Sequence, residues 1–446
     1  MKFLKRTLEI YICFLALFWD YFKKRPLYKF FFFPSYLAFK NKIEPYLKYP
    51  PSKRFRKILE DLGPTFIKLG QILSLRLDFL PPDFIEELSH LQDKGPKVSF
   101  SVLQKLLGSK IYAFEYIEEK PIGVGSIAQV HKGVLKTGEK VAIKFIKPEA
   151  KEQIKVDLEV LKVFLNFLYT LPFLKTKLKR FNLKNIFEEI EDILKDELNL
   201  ENESSYLTLF RENLNLDFCY IPKVYWDLSN KDILVMEYVE GEKITEFVKK
   251  HNLSYKEIED LIIKFLKIAF RQLFELSYFH ADLHPGNIVV TKDRKICLLD
   301  FGIVGRIPRK LKLAHSLFIY GIIRKDENII LYALKLAGLI KKDTNVEKLK
   351  RHILKNIDKY LGRPLKRISL KDYIYEEIEN AKKFNIHFSE DLVLLLKTII
   401  HIESLVRYLY PDFVSLNFLK DYTKKILPNL ILDFTKYKLE KFLFKD

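Results

Sequence analysis

Cysteine is scarce in this sequence, and its few copies are far apart. Cys13, Cys219 and Cys297 offer no pair with the short spacing of a zinc site or of a redox motif. A disulfide framework and a cysteine-based metal module are therefore not indicated, and a reduced, cytoplasmic protein is expected. Internal repeats and low-complexity linkers are missing as well, so the pattern is that of a globular chain.

The sequence also lacks an apolar run long enough for an unambiguous membrane span. The run Ile10–Trp19 would measure about 15 Å as a helix, half of the ~30 Å hydrocarbon core. Cations and aromatic residues flank it: Lys2, Lys5, Arg6, Lys23, Lys24 and Arg25, with Trp19, Tyr21 and Phe22 at one border. Two interpretations stay open, a helix lying in a membrane interface and a helix packed on the protein's own body. A signal peptide fits less well, because no small-residue cleavage site follows.

Length and charge limit the function classes. The chain has 446 residues, of which 48% are hydrophobic and 30% charged, so two or more globular lobes are expected. Lys and Arg number 77 against 58 Asp and Glu, a net charge of +19. This surplus suits anionic partners such as nucleotides or anionic lipid, although a solvated Lys- and Glu-rich surface has a similar composition. No nucleic-acid-binding motif accompanies the charge, so nucleic acid is not an expected partner.

Hydrophobic spacing predicts a small strand-rich lobe followed by a large helical lobe. The predicted elements are helices over 51–104 and 149–213, strands within 112–148, at 220–228 and at 232–239, and mainly helices from 243 onward, apart from the strand-like NIVV and KICLLDFG. A hairpin turn is predicted at Thr137-Gly138. The run LVLLLKTIIHIESLVRYLY is interrupted by Lys397, Glu403 and Arg407, which indicates a buried helix.

The stretch GVGSIAQV, from Gly123 to Val130, lies between two predicted strands and precedes VAIK, which ends at Lys144. Glycine allows backbone N–H groups to approach phosphate oxygens without a Cβ in the way. The loop is therefore predicted to cover a triphosphate, with Lys144 reaching the α- and β-phosphates. The predicted cofactor-binding residues of the loop are Gly123, Val124, Gly125, Ser126 and Val130.

A lysine placed at phosphates needs an acidic partner, and three acids follow on a predicted helix: Glu197, Glu201 and Glu203. The next strand, ILVMEYVEG, is similar to the hinge of a kinase. There the main chain of Glu237 and Val239 would hydrogen-bond adenine.

The stretch FHADLHPGNIVV combines an acid, a tight turn and an amide just before a strand. Asp282 can orient a hydroxyl or a water and accept its proton, while Asn287 and Asp300 supply hard oxygen ligands to Mg²⁺ or Mn²⁺. His280 is expected to brace the loop. His284 stands where many kinases carry a lysine. Because these motifs follow one another in the order of a kinase, ATP and a divalent cation are the predicted cofactors.

The chain resembles the UbiB family of atypical protein-kinase-like proteins over roughly residues 50 to 430. The most specific mark is the segment from Phe66 to Asp93, which carries the family's Lys-x-Gly-Gln motif as Lys68, Gly70 and Gln71. The resemblance implies an α+β, bilobal protein-kinase-like fold with a small antiparallel-sheet lobe, added helices and a large helical lobe. It also implies that Lys68 and Gln71 face the nucleotide cleft, that Glu203 pairs with Lys144, and that Glu197 is an additional acid.

The implied domains are a basic aromatic segment (1–50), a helical extension (51–110), a kinase-like lobe with a helical insertion (111–240) and a helical lobe (241–446). Departures from the family's pattern accompany the likeness. Asn199 replaces an aspartate, and Gly123 and Gly125 replace alanines of the nucleotide loop, whereas Ala128 stands for the third glycine of ordinary kinases. No Ala-Pro-Glu follows Asp300, and the C-terminal tail carries no membrane span.

The preferred reading is an ATP-dependent phosphotransferase or ATPase that supports isoprenoid quinone biosynthesis, with the quinone link resting wholly on the resemblance. The expected partners are ATP, anionic membrane lipid and quinone-biosynthesis enzymes, at the inner face of the membrane. A small-molecule kinase of the aminoglycoside or choline type is the second reading, which the Lys68–Gln71 helix disfavours. A nucleotide-binding pseudokinase scaffold is the third. Against a complete loss of catalysis stand four intact residues, Lys144, Asp282, Asn287 and Asp300.

Overall fold

The structure, a computed structural model, describes residues 2–24, 33–74, 80–91, 95–170, 183–340, 344–360, 363–367, 374, 376 and 390–443. The chain divides into an N-unit, Met1–Ser205 with Lys223–Tyr238, and a C-unit, Tyr206–Pro222 with Val239–Asp446. Arg25, one of the cations predicted beside the N-terminal apolar run, lies outside the described residues. So do residues 75–79 and 92–93 of the predicted family motif segment.

The N-unit contains a five-stranded antiparallel sheet with the order β1-β3-β4-β6 and with β2 on β3. Its strands are β1 Phe114–Ile117, β2 Gly123–Val124, β3 Ala128–Leu135, β4 Lys140–Ile146 and β6 Ile233–Glu237. The predicted hairpin is confirmed, because Thr137-Gly138 joins β3 to β4 with Gly138 at φ +94°, a conformation that glycine adopts without strain. Val141, Ile143 and Phe145 of β4 are fully buried, so this strand forms the centre of the core.

Helices precede, follow and interrupt this sheet in the N-unit. They are α1 Lys2–Leu17, α2 Trp19–Phe22, α3 Phe33–Leu47, α4 Pro51–Leu62, α5 Pro64–Leu73, α6 Pro82–Ser89, α7 Phe100–Leu107, α8 Pro148–Thr170, α9 Leu183–Glu197 and α10 Leu200–Asn213, whose last turns belong to the C-unit. Prolines start several of them at the first helical position, where no N–H is needed. The helical prediction for 51–104 is thus confirmed for α4 to α7, while the described residues 95–99 before α7 are not helical.

The N-terminal helix α1 packs on the protein's own helices, which is one of the two interpretations left open by the sequence. Leu15 and Ala16 are buried, and the ring of Phe14 lies 5.0 Å from that of Phe164 on α8. The guanidinium of Arg6 donates to both carboxylate oxygens of Asp157, which is fully buried. One face of α1 is therefore part of the core of the N-unit.

The C-unit contains a four-stranded sheet, β5-β10-β9-β7, and a two-stranded ribbon, β11-β8. The strands are β5 Cys219–Tyr220, β7 Gly241–Lys243, β8 Tyr278–His280, β9 Ile288–Thr291, β10 Ile296–Leu298 and β11 Val304–Arg306. NIVV and KICLLDFG thus form the predicted strands. The strand predicted at 220–228 is largely wrong, because Pro222 lacks an N–H and residues 226–228 form a turn.

Helices make up the rest of the described C-unit. They are α11 Ile244–Lys250, α12 Tyr255–Phe270, α13 Arg309–Arg324, α14 Glu327–Leu336, α15 Val346–Tyr360, α16 Glu390–Leu409 and α17 Ser415–Leu443. The run with Lys397 lies in α16, where Leu395, Thr398 and Leu405 are buried, so the predicted buried helix is confirmed. Within the described ranges, no helix is both long and apolar enough to cross a membrane.

Candidate active site

The N-unit joins Lys144, in the middle of β4, to Glu203, in the first turn of α10. Lys144 Nζ lies 2.9 Å from one Glu203 carboxylate oxygen and 2.8 Å from the other. The side chains are only 15% and 5% exposed, so water competes weakly for the pair. The ion pair that the resemblance implies is present, and it holds the ammonium group at one point beside the sheet.

The glycine-rich turn between β2 and β3 is held by its own backbone and by a buried lysine. The Gly125 N–H donates to the Ala128 carbonyl at 2.9 Å, and the Gly125 carbonyl accepts from Lys147 Nζ at 2.5 Å. Lys147 also donates to the Pro96 carbonyl at 2.7 Å. One cation therefore ties the turn to the segment that precedes α7.

The same segment packs directly against the turn. A Cβ at Gly95 would lie 2.8 Å from the Gly125 carbonyl oxygen, too close for any side chain. Ser126 is buried, and Gly123 and Val124 pair with Val130 and Gln129 in the sheet. The predicted nucleotide loop is therefore a supported turn, whose residues are those that the sequence singled out.

The Lys-x-Gly-Gln helix is α5, and its lysine is tied to Glu197 at the end of α9. Lys68 Nζ lies 2.7 Å from Glu197 Oε1, and both side chains are largely buried. Gln71 Nε2 lies 3.5 Å from the Leu91 carbonyl oxygen, a long contact. At Gly70 a Cβ would lie 2.3 Å from the nearest methyl carbon of Leu91, so the glycine permits the close packing of this helix.

The other acids of this region have different surroundings. Glu201 is exposed, and its amide donates to Asn199 Oδ1 at 3.1 Å. Asn199 therefore caps the start of α10 without a negative charge.

The predicted hinge follows β6. The amide of Glu237 donates to the Lys223 carbonyl at 2.8 Å, and the amide of Tyr238 donates to the Lys140 carbonyl at 2.9 Å. A contribution of Glu237 to adenine would therefore come from its carbonyl oxygen. Val239 is the first residue of the second segment of the C-unit.

In the C-unit, His280 braces the loop that carries Asp282. The Asp282 amide donates to His280 Nδ1 at 3.1 Å, so the ring proton lies on Nε2, which donates to the Leu299 carbonyl at 2.9 Å. His280 is fully buried, and burial lowers the pKa of its ring, so the neutral form is favoured. The histidine thus connects the loop to the residue before Asp300, as the sequence analysis expected.

Three cationic or potentially cationic side chains surround the Asp282 carboxylate. Lys397 Nζ lies 3.2 Å from Oδ1, His401 Nδ1 lies 3.7 Å from the same oxygen, and His284 Nε2 lies 3.7 Å from Oδ2. Burial by itself would raise the pKa of Asp282, but the neighbouring charges, that of Lys397 foremost, lower it to about 2. Asp282 is therefore a carboxylate at neutral pH.

Asn287 and Asp300 carry the oxygen atoms that Mg²⁺ prefers as ligands. Asn287 Nδ2 donates to the Asp282 carbonyl at 3.1 Å, which leaves Oδ1 as the amide atom able to coordinate a cation. Asp300 is exposed and has a positive φ of 56°. In the described part of the chain, no group of three or more His, Cys, Asp or Glu side chains is arranged to hold a metal. An ion at Asn287 and Asp300 would thus need phosphate oxygens and water to complete its coordination.

Sequence reasoning missed two lysines of these arrangements. From the sequence, Lys397 is predicted only as an interruption of a buried helix, and Lys147 has no predicted role. The signal for the first is that Lys397 and His401 lie one turn apart on a helix rich in leucine and isoleucine. No comparable signal marks Lys147, because its partners are backbone carbonyls.

Comparison with known proteins identifies the family. The sequence profile of the ABC1 atypical kinase-like domain matches residues 90–334, and that of the UbiB helical domain matches residues 353–414. The chain belongs to the UbiB family of ABC1 atypical kinase-like proteins. Within this family, a probable protein kinase UbiB from Azotobacter vinelandii is 32% identical over 409 residues, covering 88% of this chain and 75% of the relative. One from Pseudomonas putida is 33% identical over 384 residues, covering 83% and 70%.

Two further similarities extend the comparison. A Clostridium pasteurianum protein encoded in the 5′ region of hydrogenase 1, itself uncharacterised, is 33% identical over 401 residues, covering 88% of this chain and 74% of its own length. The solved structure of the Rv3197–erythromycin complex from Mycobacterium tuberculosis aligns with a TM-score of 0.53 at 20% identity, covering 84% of this chain and 99% of that one. The predicted α+β kinase-like fold is confirmed.

Proposed function

We propose that this protein binds ATP with Mg²⁺ or Mn²⁺ and either transfers its terminal phosphoryl group or hydrolyses it, in support of isoprenoid quinone biosynthesis. Lys144 would contact the α- and β-phosphates, and the main chain of Gly123–Ser126 would cover them. Asn287 and Asp300 would coordinate the metal, and Asp282 would orient the attacking hydroxyl or water. The quinone link rests on family membership alone.

The observation that carries the proposal is the hydrogen-bonded pair of Lys144 and Glu203. Here both carboxylate oxygens of Glu203 hold the ammonium group, as phosphate recognition requires. The ionised Asp282 in the C-unit adds the acceptor that a kinase or an ATPase needs.

The test is the binding and turnover of MgATP by the purified chain. Wild type should bind a fluorescent ATP analogue only with a divalent cation and should release phosphate. Lys144→Met should weaken binding about tenfold or more, because a lost charged hydrogen bond contributes roughly 1.5–3 kcal/mol. Lys292→Met is the matched control, since Lys292 also pairs with a glutamate but is 84% exposed. Equal binding by wild type and Lys144→Met would refute the assignment.

The same assay can identify the molecule that accepts the phosphoryl group. Phosphate release should be measured alone, with anionic liposomes and with quinone-like phenols, while the protein and the phenol are analysed for added phosphate by mass spectrometry. Phosphate release without a labelled acceptor supports ATP hydrolysis, and a phosphorylated phenol supports a small-molecule kinase. Metal-dependent binding without any turnover would favour the pseudokinase scaffold.

We infer in addition that the outer face of α1 and α2 contacts anionic lipid. Leu4 and Leu8 are exposed near the start of α1, and Phe18 and Tyr21 are exposed near its end. Lysines accompany these side chains at positions 5, 23 and 24. Exposed apolar groups beside cations suit the boundary between lipid headgroups and acyl chains. Peripheral attachment to a membrane surface follows from this inference.

A further inference from the structure

The closest cation to Asp282 comes from α16 of the helical domain and not from the loop that carries Asp282. Lys397 Nζ lies 3.2 Å from Asp282 Oδ1, although the two residues are 115 positions apart. The lysine side chain is only 16% exposed. Asp282 is its acidic partner among the described residues, so α16 reaches the loop through a specific charged contact.

The neighbourhood of Lys397 argues against a merely structural lysine. Val393, Leu395 and Thr398 on the same helix are buried, so an apolar side chain at 397 would be the simpler choice for packing. His401, one turn later, directs Nδ1 toward the same carboxylate oxygen at 3.7 Å. Two nitrogen-bearing side chains one helical turn apart therefore lie beside the same oxygen of Asp282, with Lys397 the nearer of the two.

The loop itself has no lysine near its acid. His284 stands two residues after Asp282, where many kinases carry a lysine, and its Nε2 lies 3.7 Å from the other oxygen, Oδ2. The side chain of His284 is 46% exposed, whereas that of Lys397 is mostly covered. A histidine is not a fixed positive charge at neutral pH, whereas a lysine is. The permanent cation of this loop is thus supplied from another part of the chain.

We propose that Lys397 is a positioning residue for Asp282, because α16 supplies the cation that the loop lacks at His284. Lys397 and His401 occupy the Oδ1 side, so Oδ2 is the oxygen that meets the acceptor hydroxyl or water. The UbiB helical domain would thereby complete the catalytic loop. This inference rests on the proposed phosphoryl-transfer or ATPase function for its catalytic readout.

The first experiment removes the positive charge at position 397 and then restores one at position 284. Lys397→Met should lower kcat for MgATP about tenfold or more, with KM changed less than twofold, because the contact acts on Asp282 and not on the nucleotide. Lys397→Arg should keep most of the activity. Adding His284→Lys to Lys397→Met should restore kcat to within about threefold of wild type. Lys264→Met is the matched control, since Lys264 also pairs with an aspartate of the C-unit, Asp260.

Two results would overturn the inference. One is an unchanged kcat in Lys397→Met. The other is a loss of kcat that neither Lys397→Arg nor the added His284→Lys relieves, since a lost packing contact would behave in this way.

The second experiment does not depend on turnover. A double-mutant cycle of Lys397→Met and Asp282→Asn, measured by urea unfolding, should show a coupling of about threefold or more in the unfolding constant. Additive effects would remove Lys397 as the partner of Asp282. A wild type that turns over no ATP but shows the coupling would refute the proposed function and leave the pairing standing, so the two failures are distinguishable.

Discussion

Lys68 of the Lys-x-Gly-Gln helix and Glu197 at the end of α9 form an ion pair of 2.7 Å. Six residues beyond Glu197, Glu203 holds Lys144. Glutamates at the end of α9 and at the start of α10 thus bind two lysines. One lysine lies in the added helical extension and the other in the kinase-like sheet. The extension is therefore connected to the same acidic segment that orders Lys144.

The first prediction concerns the ion pair of Lys68 and Glu197. Lys68→Ala should change ATP turnover and leave the chain folded, because it removes one charged contact and no large part of the core. The expected loss is roughly 1–3 kcal/mol of the free energy of unfolding, since Glu197 loses a hydrogen-bonded cation in a largely buried place. Phosphate release and urea unfolding measure the two effects. Glu197→Gln is the matched variant, and unchanged turnover in both would contradict a role at the nucleotide.

The second prediction concerns the metal. Asp300→Asn should lose most metal-dependent ATP binding, because an amide lacks the charge that holds Mg²⁺. Asparagine suits the test because it tolerates the positive φ of this position as aspartate does, so the backbone should not move. Titrations of an ATP analogue with and without Mg²⁺ measure the loss. Identical affinities of the variant and wild type in Mg²⁺ would remove Asp300 from the metal site.

The third prediction concerns the nucleotide loop. Gly125→Ala should change the ratio of ATP to ADP affinity, because a Cβ there restricts the approach of the turn to the γ-phosphate. Lys147→Met should weaken both nucleotides together, since it releases the Gly125 carbonyl from its buried cation. Paired titrations at fixed Mg²⁺ separate the two patterns. If neither variant alters nucleotide affinity, the turn only links two strands.

The fourth prediction concerns lipid. Leu4→Glu with Leu8→Glu should abolish most co-sedimentation with anionic liposomes, and wild-type binding should weaken as salt rises. Leu432→Glu with Leu439→Glu is the control, because these leucines of α17 are also exposed. Deletion of residues 1–42 is a poorer test, since buried Asp157 would lose Arg6. If wild type and both double variants sediment equally with liposomes, the lipid contact does not involve Leu4 and Leu8.

The fifth prediction concerns acid stability and His315. Burial lowers the pKa of His315 to about 4, and its buried Nδ1 has no hydrogen-bond partner in the described chain. The unfolded chain, with a pKa of about 6.5, binds the proton more readily between these values. The stability that His315 contributes is therefore complete above pH 6.5 and falls toward pH 4, by up to about 1.4 kcal/mol per pH unit.

Thermal unfolding from pH 7 to 5 tests this assignment. His315→Phe keeps the ring beside Phe274, whose centroid lies 4.6 Å away, and should make the melting temperature less sensitive to pH. Parallel slopes in wild type and His315→Phe would show that other groups control acid stability.

Motifs and strands that depend on neighbouring residues along the chain could be predicted from the sequence, whereas contacts between distant residues could not. The succession Lys144, Asp282, Asn287 and Asp300 follows from motifs whose spacing is local, and the strands around them formed as expected. Lys397 could not be paired with Asp282 in advance, because no spacing rule connects residues 115 positions apart. The strand predicted at 220–228 failed for the opposite reason, since β-branched and aromatic residues suggested pairing that Pro222 and the following turn prevent.

The interleaving of the two units has a consequence for synthesis on the ribosome. Strand β5, Cys219–Tyr220, pairs with β10, Ile296–Leu298, but β6 of the N-unit is translated in between. The N-unit sheet can be completed once Glu237 has emerged, while β5 must wait for about sixty more residues, until Leu298 has been made. Cutting the gene at the hinge would therefore give a C-terminal fragment without an edge strand and an N-terminal fragment that exposes it. Separately expressed halves should aggregate unless they are produced together.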